Sequence, residues 1–167
     1  MGTIDGRIGG LIGGYDINAS AGGGRIEGRI GGILSGADIN LKYDFDRGYI
    51  NGRIGGLISG KDVDMVLKED AAYGRVGGAV DGSDVDIRAS GGMITGRCGG
   101  ELIGFDVELN MSGGRCSGRL GGGLVGMDAN VSAEDVESVL VGICISIVYY
   151  YYQVMYRNNG NSSGGNR

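Results

Sequence analysis

Through residues 1–132 apolar and polar positions alternate in short runs punctuated by glycine. In Ile50-Asn51-Gly52-Arg53-Ile54-Gly55-Gly56-Leu57-Ile58, one face carries Ile50, Gly52, Ile54, Gly56 and Ile58. The other carries Asn51, Arg53, Gly55 and Leu57. After Ser59-Gly60 the alternation resumes, with Val63, Met65 and Leu67 sharing a face. Period two is the signature of a strand with one buried side. The x-Gly pair between the two runs predicts a two-residue hairpin turn, its glycine supplying positive φ.

The unit recurs. The phrase Gly-Arg-apolar-Gly-Gly starts at Gly6, Gly28, Gly52, Gly74, Gly96 and Gly118, at steps of 22, 24, 22, 22 and 22 residues. Its arginines are Arg7, Arg29, Arg53, Arg75, Arg97 and Arg119. Each copy runs on to a turn glycine (Gly14, Gly36, Gly60, Gly82, Gly104, Gly126) and an aspartate (Asp16, Asp38, Asp62, Asp84, Asp106, Asp128). Agreement of this kind within one chain marks one repeated supersecondary unit. The two extra residues of the second copy fall among Asp44–Tyr49, where a loop is expected. Return turns are expected at Lys68-Glu69, Ser90-Gly91 and Ser112-Gly113. Short turns at both ends make neighbouring strands antiparallel, which gives a meander.

The alternative is a two-layer β-solenoid with a helical cap, one repeat per coil. It would stack arginine on arginine and aspartate on aspartate about 4.8 Å apart, and like charges directly opposite are destabilising. A meander turning at Ser112-Gly113 instead sets Asp106 opposite Arg119. The same rule sets Asp84 opposite Arg97 and Asp62 opposite Arg75, so each aspartate meets the arginine of the next repeat. Asp128 and Arg7 are left over, and closing the sheet would join them and remove both open edges. The expected fold is all-β: a 12-stranded antiparallel meander barrel of six hairpin repeats, plus one C-terminal apolar helix.

Ser132-Ala133-Glu134-Asp135 reads as a helix start, a serine cap followed by acids. Val136–Tyr156 follows, with Gly142 its only breaker. A helix apolar on all sides is buried in a core or in a bilayer. A bilayer span needs about 20 apolar residues, and Tyr149, Tyr150, Tyr151 and Tyr152 would suit the interfacial belt at its end. A barrel of twelve strands about 4.8 Å apart and tilted by about 40° is roughly 24 Å across. It would hold a helix about 10–12 Å wide and one layer of side chains, with the inward glycines making room. The helix therefore has three possible places: the lumen, a membrane, or one end of the barrel. The domains are the repeat region 1–132, the helix 133–157 and a polar tail 158–167.

Composition narrows the function classes. The balance of 15 basic and 20 acidic side chains speaks against nucleic acid, which needs a basic face. Glycine fills 39 positions and proline none, which excludes collagen-like and polyproline chains. Histidine is absent, removing the imidazole base and the His-ligated metal site. The three cysteines, Cys98, Cys116 and Cys144, form no disulfide framework, and two replace an isoleucine of sister repeats. The N-terminal residues lack a secretory pattern. With the odd cysteine count, that points to an intracellular setting.

Paired carboxylates, Asp62 with Asp64 and Asp84 with Asp86, raise calcium, but neither spacing nor period fits the calcium β-roll. Gly22-Gly23-Gly24 raises phosphate, but no helix follows it. Two threonines, Thr3 and Thr95, are too few for an ice-binding array. The arginine array reads as cross-strand ion pairs sooner than as an anion or glycan surface. No catalytic, cofactor-binding or metal residue is expected.

Twelve strands around a C-terminal apolar helix resemble the layout of the tubby and phospholipid-scramblase family. The resemblance covers strand count and order. It implies phosphoinositide binding or action at membranes, and transfers no site residue. The residues themselves predict a non-catalytic structural or interaction module, capable of self-assembly, whose partner is a protein or a second copy. The alternative is a membrane- or lipid-associated barrel, anchored through Val136–Tyr156 or holding an apolar ligand in its lumen.

Overall fold

The computed structural model describes every residue except 11, 32–35, 101–102, 123–124 and 162–167, with side chains as far as Tyr156. Among the described residues there are twelve strands and one helix. The strands are β1 (Gly2–Gly9), β2 (Gly14–Gly22), β3 (Arg25–Gly31), β4 (Gly36–Asp44), β5 (Tyr49–Ile54), β6 (Lys61–Leu67), β7 (Ala71–Val76), β8 (Ser83–Ser90), β9 (Met93–Gly99), β10 (Gly104–Ser112), β11 (Arg115–Gly121) and β12 (Gly126–Glu134); the helix is α1 (Ser138–Asn161). Each strand pairs antiparallel with the next, and β12 pairs with β1. The sheet is a closed meander barrel and not a solenoid.

Alternation sets the two faces. Ile4 and Ile8, Ile26 and Ile30, Ile50 and Ile54 point inward and are buried, as are Ile39, Leu41, Val63, Met65 and Leu67 on the even strands. Aspartate, asparagine, arginine and serine point out. A transmembrane barrel shows the reverse pattern, an apolar band outside.

The register differs from the sequence expectation. Three of the return turns are Gly23-Gly24, Gly91-Gly92 and Gly113-Gly114, and both glycines of each have positive φ, as a two-residue primed turn requires; the turn expected at Lys68-Glu69 is longer, with Leu67 opposite Ala72 and Asp64, not Asp62, opposite Arg75. Gly91-Gly92 and Gly113-Gly114 lie one residue later than expected. That moves each pairing by two residues, which keeps every face and changes every partner. Glu108, not Asp106, stands opposite Arg119, and Asp106 stands opposite Arg97 of its own hairpin. Each aspartate thus meets the arginine of the same repeat. Closure does not join Asp128 to Arg7 either: Asp128 pairs with Arg119, and Arg7 lies opposite Asp16 and Asn130. The extra residues of the second copy do lie in a loop, between Asp44 and Tyr49.

The hairpin turns also differ. Gly9 pairs with Gly14 and Gly99 with Gly104, leaving four residues between the strands, whereas Ile54 pairs with Lys61 and Val76 with Ser83, leaving six; in each case the first strand ends before the residues expected to extend it. In the third repeat β5 stops at Ile54, leaving Leu57 and Ile58 in the loop.

The first glycine of each repeated phrase has a local cause. A Cβ on Gly6, Gly28, Gly52, Gly74, Gly96 or Gly118 would stand 2.0–2.3 Å from a backbone carbonyl oxygen of the preceding strand in the ring. These glycines permit close strand approach, where the sequence suggested room for a helix.

The helix fills the lumen. Val139, Leu140, Val141, Ile143, Cys144, Ile145, Ile147 and Val148 are all buried. It starts later than expected: Ala133 is an inward residue of β12 opposite Ile4, so the strand pattern outlasts the serine–acid signal. Asp135 turns the chain with φ 52°, a left-handed conformation that aspartate tolerates. The Glu137 carbonyl then accepts hydrogen bonds from the Leu140 and Val141 amides at 2.9 and 3.2 Å. At Gly142 a Cβ would come within 2.6 Å of Ile94 Cγ2 and 3.1 Å of Ile87 Cγ2, so the helix leans on β8 and β9 there. The one buried polar side chain among the described residues, Ser146, donates to the Gly142 carbonyl at 2.7 Å.

Candidate functional site at the loop end of the barrel

Among the described residues, the loops of five hairpins gather at one end, where α1 leaves the lumen. The strands of all six hairpins are clamped from outside. Arg7, Arg29, Arg75, Arg97 and Arg119 pair with Asp16, Asp38, Asp84, Asp106 and Asp128 at 2.7, 2.9, 2.7, 2.6 and 2.9 Å, and Arg53 with Asp62 likewise. Among the described residues, the same guanidinium also reaches over the loop in five repeats, those of Arg7, Arg53, Arg75, Arg97 and Arg119. Arg7 Nε donates to the Gly10 carbonyl at 2.8 Å, Arg53 to those of Gly56 and Leu57 at 3.2 and 3.1 Å, and Arg97 to that of Gly100 at 2.7 Å. Arg75 donates to the carbonyls of Gly78, Ala79 and Gly82. The arginine array is thus committed to the fold, one clamp per hairpin. Among the described residues, one ion pair ties neighbouring hairpins together at this end: Lys61, at the start of β6, holds Asp81 in the loop of the next hairpin and keeps its carboxyl below the usual aspartate range.

Inside the rim, four consecutive tyrosines radiate from the helix. Successive helical residues are about 100° apart, so four of them sweep the full circle. Tyr149 meets Phe105 edge-on, with centroids 4.5 Å apart. The Tyr150 hydroxyl donates to the Asp81 carbonyl at 3.3 Å. Tyr151 and Tyr152 lie against Tyr15, at 6.2 and 5.1 Å. Burial raises the phenol pKa of Tyr15 and of Tyr149. These rings stopper the lumen, which accounts for the tyrosine run without a bilayer.

Above this stopper the loop tips carry aliphatic side chains into solvent. Leu57, Ile58 and Val80 are 93%, 101% and 100% exposed; Ile12 is equally bare, and Ile103 and Val125 largely so. The tip residues Ile33 and Leu34 of the second repeat lie outside the described residues. Two clefts open between tips and helix. One, of about 390 Å³, is bordered by Val80, Ile103, Phe105, Tyr150, Gln153 and Val154. Its neighbour, about 490 Å³, lies between Phe105, Gly121, Val125, Tyr149 and Gln153.

The carboxylate pairs lie elsewhere, on the outer wall. Asp62 and Asp84 are held in the clamps, Asp64 stands opposite Arg75, Asp86 opposite Arg97, and Arg88 lies 3.5 Å from Asp86. Among the described residues no three Asp, Glu, Cys or His side chains converge as metal ligands would. Gly23-Gly24 is a return turn between strands. All three cysteines are buried and unpaired, and burial pushes the thiols of Cys98 and Cys144 up to about 12 and that of Cys116 to about 11.

Sequence reasoning missed the exposed tips. Their signal is an aliphatic pair set between glycines, as in Gly56-Leu57-Ile58-Ser59-Gly60, repeated around the chain. The strand pattern absorbed it, because those residues extend the alternation by two more positions. No family model, no curated protein and no solved structure matches this chain.

Proposed function

We propose that this chain is a non-catalytic interaction module that engages a protein partner through the loop end of its barrel. The observation that carries this reading is the set of bare aliphatic tips above a mostly polar, ion-paired wall, whose apolar side chains Val66, Tyr73 and Met93 are less than half exposed. Scattered exposed apolar residues are ordinary, but apolar groups gathered at one end mark an interaction surface. Repetition strengthens the case. The other repeated positions have a fold-level cause: buried isoleucines, turn glycines, clamp arginines. The aliphatic tips touch no core, yet recur in repeat after repeat. The clefts beside them, bordered by aromatic and aliphatic side chains and, in the first, by Arg75, Asp81 and Asp84, are of a size that accepts anchor side chains.

A photo-crosslinking residue placed at Leu57 or Val80 in the full chain, and separately at Asn51 on the outer wall, tests the reading. The expected result is crosslinks to another protein from the tip positions and none from the wall. Equal labelling from tip and wall contradicts it.

A second reading, association with a lipid surface, is supported by the same tips together with Tyr152 and Tyr156, since aliphatic prongs beside tyrosines suit a bilayer interface. In it the loop end touches lipid and the wall stays in water. Sedimentation with vesicles separates the two: the lipid reading expects co-sedimentation that is lost when Leu57, Ile58, Val80 and Ile103 become serine.

A further inference from the structure

We propose that a second copy of this chain is a partner by strand exchange at the β12–β1 seam, hairpin β1–β2 of one copy replacing the same hairpin of another. This goes beyond the loop-end reading and rests on the seam alone.

The seam repeats the other junctions between hairpins. At five of them the arginine of one repeat stands opposite the residue two places past the aspartate of the preceding repeat: Asn18 and Arg29, Asn40 and Arg53, Asp64 and Arg75, Asp86 and Arg97, Glu108 and Arg119. At the seam, Asn130 and Arg7 stand in that same relation. The close approach of glycine to carbonyl recurs there too. A Cβ on Gly6 would lie 2.3 Å from the Asn130 oxygen, as one on Gly74 would lie 2.3 Å from that of Asp64. Register and backbone contact therefore do not distinguish the closing junction from an internal one. A β12 edge accepts any β1 edge with this pattern, whichever molecule carries it.

Covalent connection does distinguish it. The five other junctions are bridged by a turn, whereas β12 runs into the helix and meets β1 only through the sheet. The wall is indented beside the seam, with a cavity of about 340 Å³ bordered by Asp5, Gly6, Arg115, Cys116, Asn130 and Ser132. Hairpin β1–β2 carries its own fastenings: the Arg7–Asp16 ion pair and the Asn18–Asp5 hydrogen bond both lie within it. Its link to β3 is Gly23-Gly24, a turn held by one hydrogen bond from the Tyr43 amide to the Gly24 carbonyl and made of two residues with no side chain to oppose extension. A swapped barrel regains every contact the exchange breaks outside this hinge, which is the condition under which domain swapping costs little.

Thr3 and Glu134 stand opposite each other across the seam, and both are exposed. The native thiols are buried, so engineered ones at these positions react first. A tagged full-length chain carrying Thr3→Cys is mixed, reduced and concentrated, with an untagged one carrying Glu134→Cys, warmed to its melting midpoint, cooled and oxidised. The expected product is a mixed disulfide dimer that exceeds both homodimers several-fold and whose yield falls when the chains are warmed and cooled at lower concentration. Monomers alone, or a statistical mixture of homo- and heterodimers, would overturn the proposal. The Thr3→Cys/Glu134→Cys double variant, oxidised before warming, is expected to close an intrachain disulfide and yield no mixed species. Failure to close it would overturn the proposal as well, because the seam would not bring the two positions together.

Discussion

Aliphatic side chains occupy two regions of this molecule, and the same residue types do different things in each. In the lumen, isoleucine, leucine and valine from twelve strands close over a helix made of the same residues, and nearly all are fully buried. At the loop end Ile12, Leu57, Ile58 and Val80 stand in water and touch no core. Composition cannot separate the two sets, since both follow the repeat. Only position relative to the strand end does: the alternating face stops at the first Gly-Gly, and whatever follows belongs to the loop. Repetition within a chain therefore reports two kinds of constraint, and packing explains only one of them.

Substitutions sharpen that contrast. The largest effect is expected at a glycine of the wall. Gly74→Val would set a branched side chain 2.3 Å from the Asp64 carbonyl oxygen and 2.5 Å from Met65 Cα, a backbone collision no rotamer relieves. A loss above about 4 kcal/mol is expected, read as absence of a cooperative melt. Ile94→Ala removes a fully buried side chain where the helix leans on the sheet. A cost of about 2–5 kcal/mol is expected in urea denaturation.

Alkaline pH probes the lumen without mutation. The buried thiols hold their protons to about pH 11–12, while in the unfolded chain they ionise near 9. Above pH 9 the unfolded state therefore releases protons that the folded state keeps, and stability falls with rising pH. The raised phenols of Tyr15 and Tyr149 act in the same sense. The melting temperature is expected to decline from pH 9 upward, and the three thiols to resist a colorimetric thiol reagent until denaturant is added.

Smaller effects lie outside the lumen. Asp84→Asn breaks an ion pair whose aspartate side chain is 81% exposed, and water screens it. About 0.2–1 kcal/mol is expected. Leu57→Ser is expected to change stability by no more than about 0.5 kcal/mol in either direction.

Much of this fold was legible in the sequence, for definite reasons. Period-two alternation over six copies leaves little freedom in strand number, and an all-round apolar helix beside a barrel wide enough to hold it suggests its own place. Register was not legible at the same level. Ser112-Gly113 and Gly113-Gly114 are both acceptable turns from composition, and their offset of one residue shifts the pairing by two, which decides whether Asp106 or Glu108 meets Arg119. A closed ring adds a check that an open sheet lacks. The expected register relied on closure to join Asp128 to Arg7, whereas the observed one satisfies all six pairs within hairpins and leaves closure to the backbone. The helix start at Ser132 misled for a related reason: a local cap signal lost to the inward position of Ala133 in a strand still paired with β1. The tips were hidden because alternation continues through Leu57 and Ile58 after the ladder has ended.

The measurement that tests the division between lumen and tips most directly is urea denaturation of a single full-length variant. In it Ile12, Leu57, Ile58, Val80, Ile103 and Val125 all become serine, and the wild-type chain is followed alongside. A shift in midpoint smaller than that of Ile94→Ala alone, with an unchanged slope, is the expected result. A collapse of the midpoint beyond that of Ile94→Ala would show that the tips belong to the core, and the loop end would lose its claim to be an interaction surface.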